Sequence, residues 1–168
     1  MSLSPILRLC SDKDEEAIYS IINDAATAYR GIIPTDRYHE PYMSRDELIH
    51  EKNSGVIFWG AELDGQLIGV MGIQDKGEVA LIRHAYVRTN SRQGGIGTKL
   101  LHHLTRLTAK PILIGTWEAA AWAIAFYEKN GFKQVPGERK TALLQQYWNV
   151  PERQIQTSVV LASANDWV

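Results

Sequence analysis

Cysteine is almost missing from this sequence: Cys10 stands alone among 168 residues. No intramolecular disulfide can form, and no Cys/His cluster has the spacing of a zinc site. A stapled secreted scaffold and a structural zinc module are thereby excluded, and the expectation is a reducing, cytoplasmic setting with no metal. An excess of charge of one sign is missing too. With 18 Lys+Arg against 19 Asp+Glu the formal net charge is −1, without the basic surplus that drives binding to nucleic acid or to an anionic membrane. No apolar run approaches the ~20 residues that span a bilayer, and no basic stretch followed by a long apolar core opens the chain. The expected protein is soluble and unprocessed, with neither a nucleic-acid nor a membrane partner. Repeats, low-complexity tracts and Ser/Pro-rich linkers are also lacking. With 45% apolar residues, the length suits a single domain over residues 1–168 that buries a sizeable core unaided.

What is present is a sequence of short periodic segments. Ser11 followed by Asp14 can cap a first helix over about Asp12 to Tyr29, with Ile18, Ile21, Ile22 and Ala25 on one face. Ser44-Arg-Asp-Glu47 opens a second helix that ends near Asn53 to Gly55, so two helices are expected before any strand. Val56 to Leu63 and Gln66 to Gln74 read as strands joined by Asp64-Gly65, a two-residue hairpin signal. Glu78 to Val87 completes an antiparallel meander. A helix with Leu100, Leu101, Leu104 and Leu107 on one face follows, with His102 and His103 on its solvated side. Then come a strand over Pro111 to Trp117, a helix over Ala119 to Lys129 and a strand start at Phe132 to Val135. A helix near Glu138 to Tyr147 and a closing strand over Gln154 to Ala162 end the chain. The fold class is mixed α/β (α+β).

The chemistry concentrates at Arg92-Gln-Gly-Gly-Ile-Gly97, on the turn from the meander into the leucine-striped helix. Glycines there expose backbone N–H groups beside the positive end of a helix, which makes an anion site. Two nucleotide motifs fail on spacing. A P-loop needs Gly-Lys-Ser/Thr, whereas Gly97 is followed by Thr98, Lys99 and Leu100. A dinucleotide fingerprint needs a third glycine where Leu100 stands.

The spacing does match Arg/Gln-x-x-Gly-x-Gly/Ala, and with Ala123-Ile-Ala-Phe-Tyr-Glu-Lys-Asn-Gly-Phe132 further on, the sequence resembles the GCN5-related N-acetyltransferase (GNAT) family along nearly its whole length. The resemblance implies a mostly antiparallel central sheet with helices on both faces, and acetyl-CoA as cosubstrate. It assigns the pyrophosphate to Gln93, Gly94, Gly95, Ile96, Gly97 and Thr98, with Arg92 adding charge. It pairs the pantetheine arm with the backbone of Ala85, Tyr86 and Val87. It also makes Tyr127 the general acid toward the thioester sulfur, against the alternative of a core tyrosine, and leaves Trp122 and Phe126 as core packing.

Two positions depart from the family pattern. Leu81 stands where many relatives carry a glutamate base, which leaves Glu78, His84 and Glu118 as candidates beside a water chain, with His84 on the face opposite Ala85 and Val87. Ala120 replaces an asparagine that touches pantetheine. The expected acceptor is a primary amine of a small molecule or protein, met by the aromatic loop Tyr29 to Tyr42. There Tyr29, Tyr38, His39 and Tyr42 form either a lid or their own packing, with Asp36 or Glu40 drawing the charge. The alternatives are a non-catalytic acyl-CoA sensor of the same fold and a transferase using a longer acyl-CoA. A homodimer through Trp148 and the Ile155 to Leu161 run is set against a buried core strand.

Overall fold

The computed structural model describes residues 4–163, and its first element is one the sequence pattern does not announce. Ile6–Leu9 forms an edge strand, β1, antiparallel to β2 (Ile57–Leu63), so a strand precedes the two early helices. None of its residues is buried, so no inside-outside alternation marks it.

The first helix starts as expected. Ser11 and Asp14 form a capping box around a 3-10 turn at Asp12–Asp14, α1 spans Glu15–Ala25, and a second 3-10 turn, Ala26–Tyr29, replaces its expected last turn. Ser44 caps α2 (Arg45–Asn53), its hydroxyl accepting from the Glu47 N–H at 3.1 Å. β2 turns into β3 (Gln66–Asp75) through Asp64 and Gly65, at φ 53° and 77°, the paired left-handed conformation of the tight hairpin turn. β4 (Ala80–Val87) completes the meander, and a 3-10 turn, Thr89–Gly94, leads into α3 (Ile96–Thr105). β5 (Ile112–Trp117), α4 (Ala121–Lys129), β6 (Lys133–Gln134) and α5 (Gly137–Tyr147) follow. The expected closing strand divides: Pro151 starts a short helix, α6 (Glu152–Gln156), and only Ser158–Ala162 is strand, β7.

The seven strands form one sheet in the order β1-β2-β3-β4-β5-β7-β6, antiparallel except where β4 meets β5. Alternation along the strands separates the layers. Ala80 and Ile82 pack with Leu100, Leu101 and Leu104 of α3 and Tyr127 of α4 on one face. On the other, Leu81 packs with Leu143 and Leu144 of α5, and Val70 packs with Ile18, Ile21 and Ile22 of α1. β7 lies between β5 and β6, and Trp148, Ile155, Val160 and Leu161 are buried, so the apolar run considered for dimerisation is used within the chain. Among the described residues, no helix is long and apolar enough to cross a membrane.

Candidate active site

β4 and β5 run together only through Ala80/Ile112, Leu81/Leu113 and Ile82/Ile114. Beyond Ile82 they part: β5 continues beside β7 from Gly115 to Trp117, while β4 keeps β3 alone. Arg88 N donates toward β3, to Ile68 O at 2.8 Å, and backbone groups alternate sides along a strand, so the Val87 amide faces the gap.

A cleft of about 400 Å³ occupies this gap. His84, Ala85, Tyr86 and Val87 form its β4 side, Arg92, Gly95, Gly97 and Thr98 its loop side, and Trp122, Ala123, Phe126 and Tyr127 its α4 side. The sequence thus brings most of its expected loop, strand and tyrosine residues to one place. Gly94 and Ile96 do not line the cleft, Gly94 being exposed and Ile96 buried at the start of α3, and the side chain of Gln93 lies outside the described part of the structure.

The loop is built to receive an anion. Gly95 occupies the N-cap of α3 at φ 68°, a left-handed conformation that a side chain resists, and no side chain caps the helix. The amides of Ile96, Gly97 and Thr98 therefore lack acceptors within the helix. A Cβ on Gly97 would stand 3.3 Å from Phe126 Cζ, so the glycine also lets α4 close against α3. Arg92 donates to the Ala25 carbonyl at 3.3 Å and Asp24 accepts from Thr89 N at 2.8 Å, which together fasten the loop to the end of α1. Among the described residues lining the cleft there is no carboxylate. Exposed amides, Arg92 and the open edge of β4 fit a phosphate-bearing, extended ligand such as acetyl-CoA.

Tyr127 is buried, with its ring 5.2 Å from Phe126 and 6.2 Å from Phe132. Its hydroxyl has no hydrogen-bond partner among the described residues, and burial, aided by the nearby Tyr29 phenol, pushes its pKa well above the ordinary value. Trp122 is not core, as the sequence reading had it: it is 46% exposed and stacks on Tyr29 at 5.9 Å, and Phe126 lines the cleft as well.

The three candidate bases separate. Glu118 is exposed and outside the cleft wall, held by its N–H bond to Thr157 O at 2.9 Å. Glu78 precedes β4 at its far end and accepts from the Tyr147 hydroxyl at 3.3 Å. His84 lines the cleft at an irregularity: two residues, His84 and Ala85, stand opposite Met71, and His84 takes φ 56°. Its ring packs over Phe58, and its Nε2 faces Glu51 Oε1 of α2 at 3.5 Å. Glu51 escaped the sequence reading because the bulge that brings His84 to α2 has no turn signature. Leu81 is fully buried on the face away from α3 and α4.

A second compartment of about 120 Å³ adjoins the first through His84, Tyr86, Gly115 and Thr116, which line both. Tyr29, Tyr42, Arg83, Trp117 and Trp148 enclose it. His39 stacks on Tyr42 and Tyr38 packs against it at a tilt, and neither lines the compartment. The carboxylates expected to draw an amine are engaged elsewhere: Asp36 with Arg153 at 3.0 Å, and Glu40 with Arg30 and Tyr38. The solvated reading of the histidine pair holds for His102 only, since His103 packs 4.4 Å from the Trp59 ring. Among the described residues no group of three or more His, Cys, Asp or Glu side chains is placed to hold a metal.

Residues 54–134 match the acetyltransferase (GNAT) domain family. The chain is 29% identical over 117 residues to "Probable N-acetyltransferase camello" of Xenopus tropicalis, a match covering 63% of this chain and 53% of that protein, so it spans about half the length of this relative. Its fold is that of the PaiA N-acetyltransferase of Thermoplasma acidophilum in complex with coenzyme A (TM-score 0.70, 19% identity, 95% of this chain and 98% of that one). The ribosomal-protein-S18-alanine N-acetyltransferase of Escherichia coli shares it too (TM-score 0.65, 16% identity, 94% and 92%). Residues 54–134, which hold the parted β4 and β5 and the glycine turn into α3, are thus the part of the chain that matches the GCN5-related N-acetyltransferase family.

Proposed function

We propose that this chain is a single-domain, cytoplasmic N-acetyltransferase that moves an acetyl group from acetyl-CoA directly to a primary amine of a small molecule or protein. The observation that carries this reading is the unpartnered phenol of Tyr127 in the same cleft as the uncapped start of α3 and the open edge of β4. The amides from Gly95 to Thr98 would hold the pyrophosphate, with Arg92 adding positive charge and Gln93, Gly94 and Ile96 completing the turn. Ala85, Tyr86 and Val87 would bind the pantetheine arm as a neighbouring strand, Val87 through its gap-facing amide. Acetyl-CoA supplies an acyl group activated as a thioester.

Tyr127, kept protonated by burial, can give its proton to the departing thiolate. An amide at the β4 edge can stabilise charge that develops on the carbonyl oxygen. Tyr29, Trp122 and the second compartment would receive the acceptor. The name of the Escherichia coli neighbour, an alanine N-acetyltransferase of a ribosomal protein, is consistent with a protein acceptor. The 120 Å³ compartment is consistent with a small one.

Calorimetric titration with acetyl-CoA and CoA, followed by thiol release with an amine panel, tests the proposal. Binding that is lost in Gly95→Glu, together with thiol release, supports the enzyme. Binding without release identifies a sensor, the role to which Leu81 and Ala120 would suit the site. Faster release from propionyl-CoA or succinyl-CoA identifies a longer acyl donor. Absence of binding by the wild type overturns the assignment.

A further inference from the structure

The geometry points to a base for this reaction: His84, held by Glu51 from α2, takes the proton of the acceptor ammonium, an inference that rests on the acetyltransferase reading.

His84 lines both compartments where β4 and β5 part, the position through which donor and acceptor must meet. It is there because of the bulge. An unbroken alternation would put Arg83 and His84 on opposite faces, yet both approach Glu51, with Arg83 Nη1 3.2 Å from Oε2 and His84 Nε2 3.5 Å from Oε1. The left-handed backbone of His84 is uncommon for a residue of its size and is held by the β3 pairing on both sides of it.

Neither nitrogen of the ring makes a hydrogen bond to a described residue. Nε2 is enclosed and faces a carboxylate slightly beyond hydrogen-bond length, whereas Nδ1 is not among the enclosed unpaired atoms. The tautomer with hydrogen on Nε2 directs that N–H at Glu51 and leaves the Nδ1 lone pair free for a proton. The Glu51 carboxylate orients the ring through that N–H. Arg83 steadies the carboxylate through both oxygens, with Nη2 donating to Oε1 at 3.3 Å and Nη1 3.2 Å from Oε2, while also binding Gln74 Oε1 at 3.2 Å, and the Phe58 ring at 6.0 Å limits rotation of the imidazole. Burial tends to raise the Glu51 carboxyl, but the facing His84 ring and the charges of Arg83 and His50 hold it below the ordinary range. The titratable and charged groups around His84 are Glu51 and His50 from α2, Arg83 from its own strand, Arg92 from the loop, and the phenols of Tyr29, Tyr42, Tyr86 and Tyr127; β5 contributes Gly115, Thr116 and Trp117, none of which titrates.

The proton inventory closes. An ammonium sheds two protons on becoming an amide nitrogen. His84 takes the first, which frees the lone pair that forms the C–N bond. As the C–S bond breaks, Tyr127 gives its proton to sulfur, the second nitrogen proton restores the phenol, and His84 returns its own to solvent.

The test uses ethylamine and 2,2,2-trifluoroethylamine, alike in length, of which only the first is an ammonium at neutral pH. Asparagine tolerates the left-handed backbone and is not a base at neutral pH, so His84→Asn isolates the proton step. Expected are unchanged acetyl-CoA binding by calorimetry, a loss of about 100-fold in kcat/KM for ethylamine, and a much smaller loss for the fluorinated amine. In Glu51→Gln kcat/KM for ethylamine should fall while that for the fluorinated amine changes much less, because the ring has lost the carboxylate that orients it. If His84→Asn fails to bind acetyl-CoA, His84→Gly with added imidazole replaces it, and restored turnover supports the base. Equal losses for both amines, no loss, or no rescue in a variant that binds acetyl-CoA would overturn it. A wild type that binds acetyl-CoA but acetylates neither these amines nor any of the wider panel removes the acetyltransferase reading and this base together, whereas an active wild type with an unaffected variant removes only the base.

Discussion

Trp117 Nε1 donates a 2.8 Å hydrogen bond to the hydroxyl of Tyr42, joining the last residue of β5 to the loop that closes the second compartment. Both rings are buried or nearly so, and burial raises the Tyr42 phenol, so the accepting hydroxyl stays neutral. The bond therefore couples the shape of the acceptor side to the strand that forms the gap.

Tyr42→Phe removes that acceptor and leaves an indole N–H enclosed. A loss of about 1–2 kcal/mol in urea unfolding is expected. The acceptor KM should rise while acetyl-CoA affinity stays within about twofold, because the hydroxyl lies away from the α3 loop.

Adjacent glycines should respond differently to alanine. At Gly95 there is space for a methyl group, but φ is 68°, so Gly95→Ala should cost roughly 1–2 kcal/mol through backbone strain alone. Gly94 is not left-handed and its nearest side-chain neighbour is 3.6 Å away, so Gly94→Ala should stay within about 0.5 kcal/mol. Denaturant midpoints of the two variants measured together distinguish strain from crowding.

Tyr127→Phe deletes the proton donor with little change of shape. A fall of about 100-fold in kcat is expected, with CoA binding intact by calorimetry. Burial raises the phenol, so its acidic form persists to higher pH than that of a free tyrosine. The wild-type rate should accordingly show no fall assignable to Tyr127 below pH ~10, the ordinary tyrosine value.

Arg8 grips Asp14 with both ends of its guanidinium, at 2.9 Å on each oxygen. That contact, with the Ser11 amide bond, lowers the Asp14 carboxyl to about 2. A depressed carboxyl contributes stability that is complete above its unfolded value and disappears as pH falls through the folded one. Asp14→Asn should thus be less stable than the wild type by about 1 kcal/mol at pH 6, after allowance for solvent screening, and the difference should shrink from pH 4 to pH 2. Urea unfolding across that range checks it.

The meander, the glycine turn and the row Leu100, Leu101 and Leu104 of α3 were legible because each is a local pattern, whereas Leu107, expected on the same face, is exposed beyond the end of the helix. A capping box, an Asp-Gly pair and a heptad-like row of leucines declare themselves within a few residues. β1 did not, since Ile6–Leu9 is an exposed edge strand specified by its pairing with β2 rather than by its own alternation. α6 hid inside an apparent strand because Pro151 as N-cap decides the first turn, while the β-branched pair Val159 and Val160 dominates the composition. In the cleft, the loop, the Val87 edge and Tyr127 could be read from spacing and resemblance. Glu51 could not, because its approach to His84 needs both a helix docked on the sheet and one extra residue in β4. Trp122 misled for a related reason: its apolar character suits a core, yet its helix lies beside a gap in the sheet.

That gap is an omission of backbone pairing, not a hollow carved by side chains. Its outline survives replacement of almost every residue around it, provided the strands still diverge after Ile82. Chains only 16% and 19% identical to this one share its fold. In this chain the slot is set by where two strands part, whereas the groups that work within it are separate side chains, so a substitution among them alters the chemistry without closing the opening.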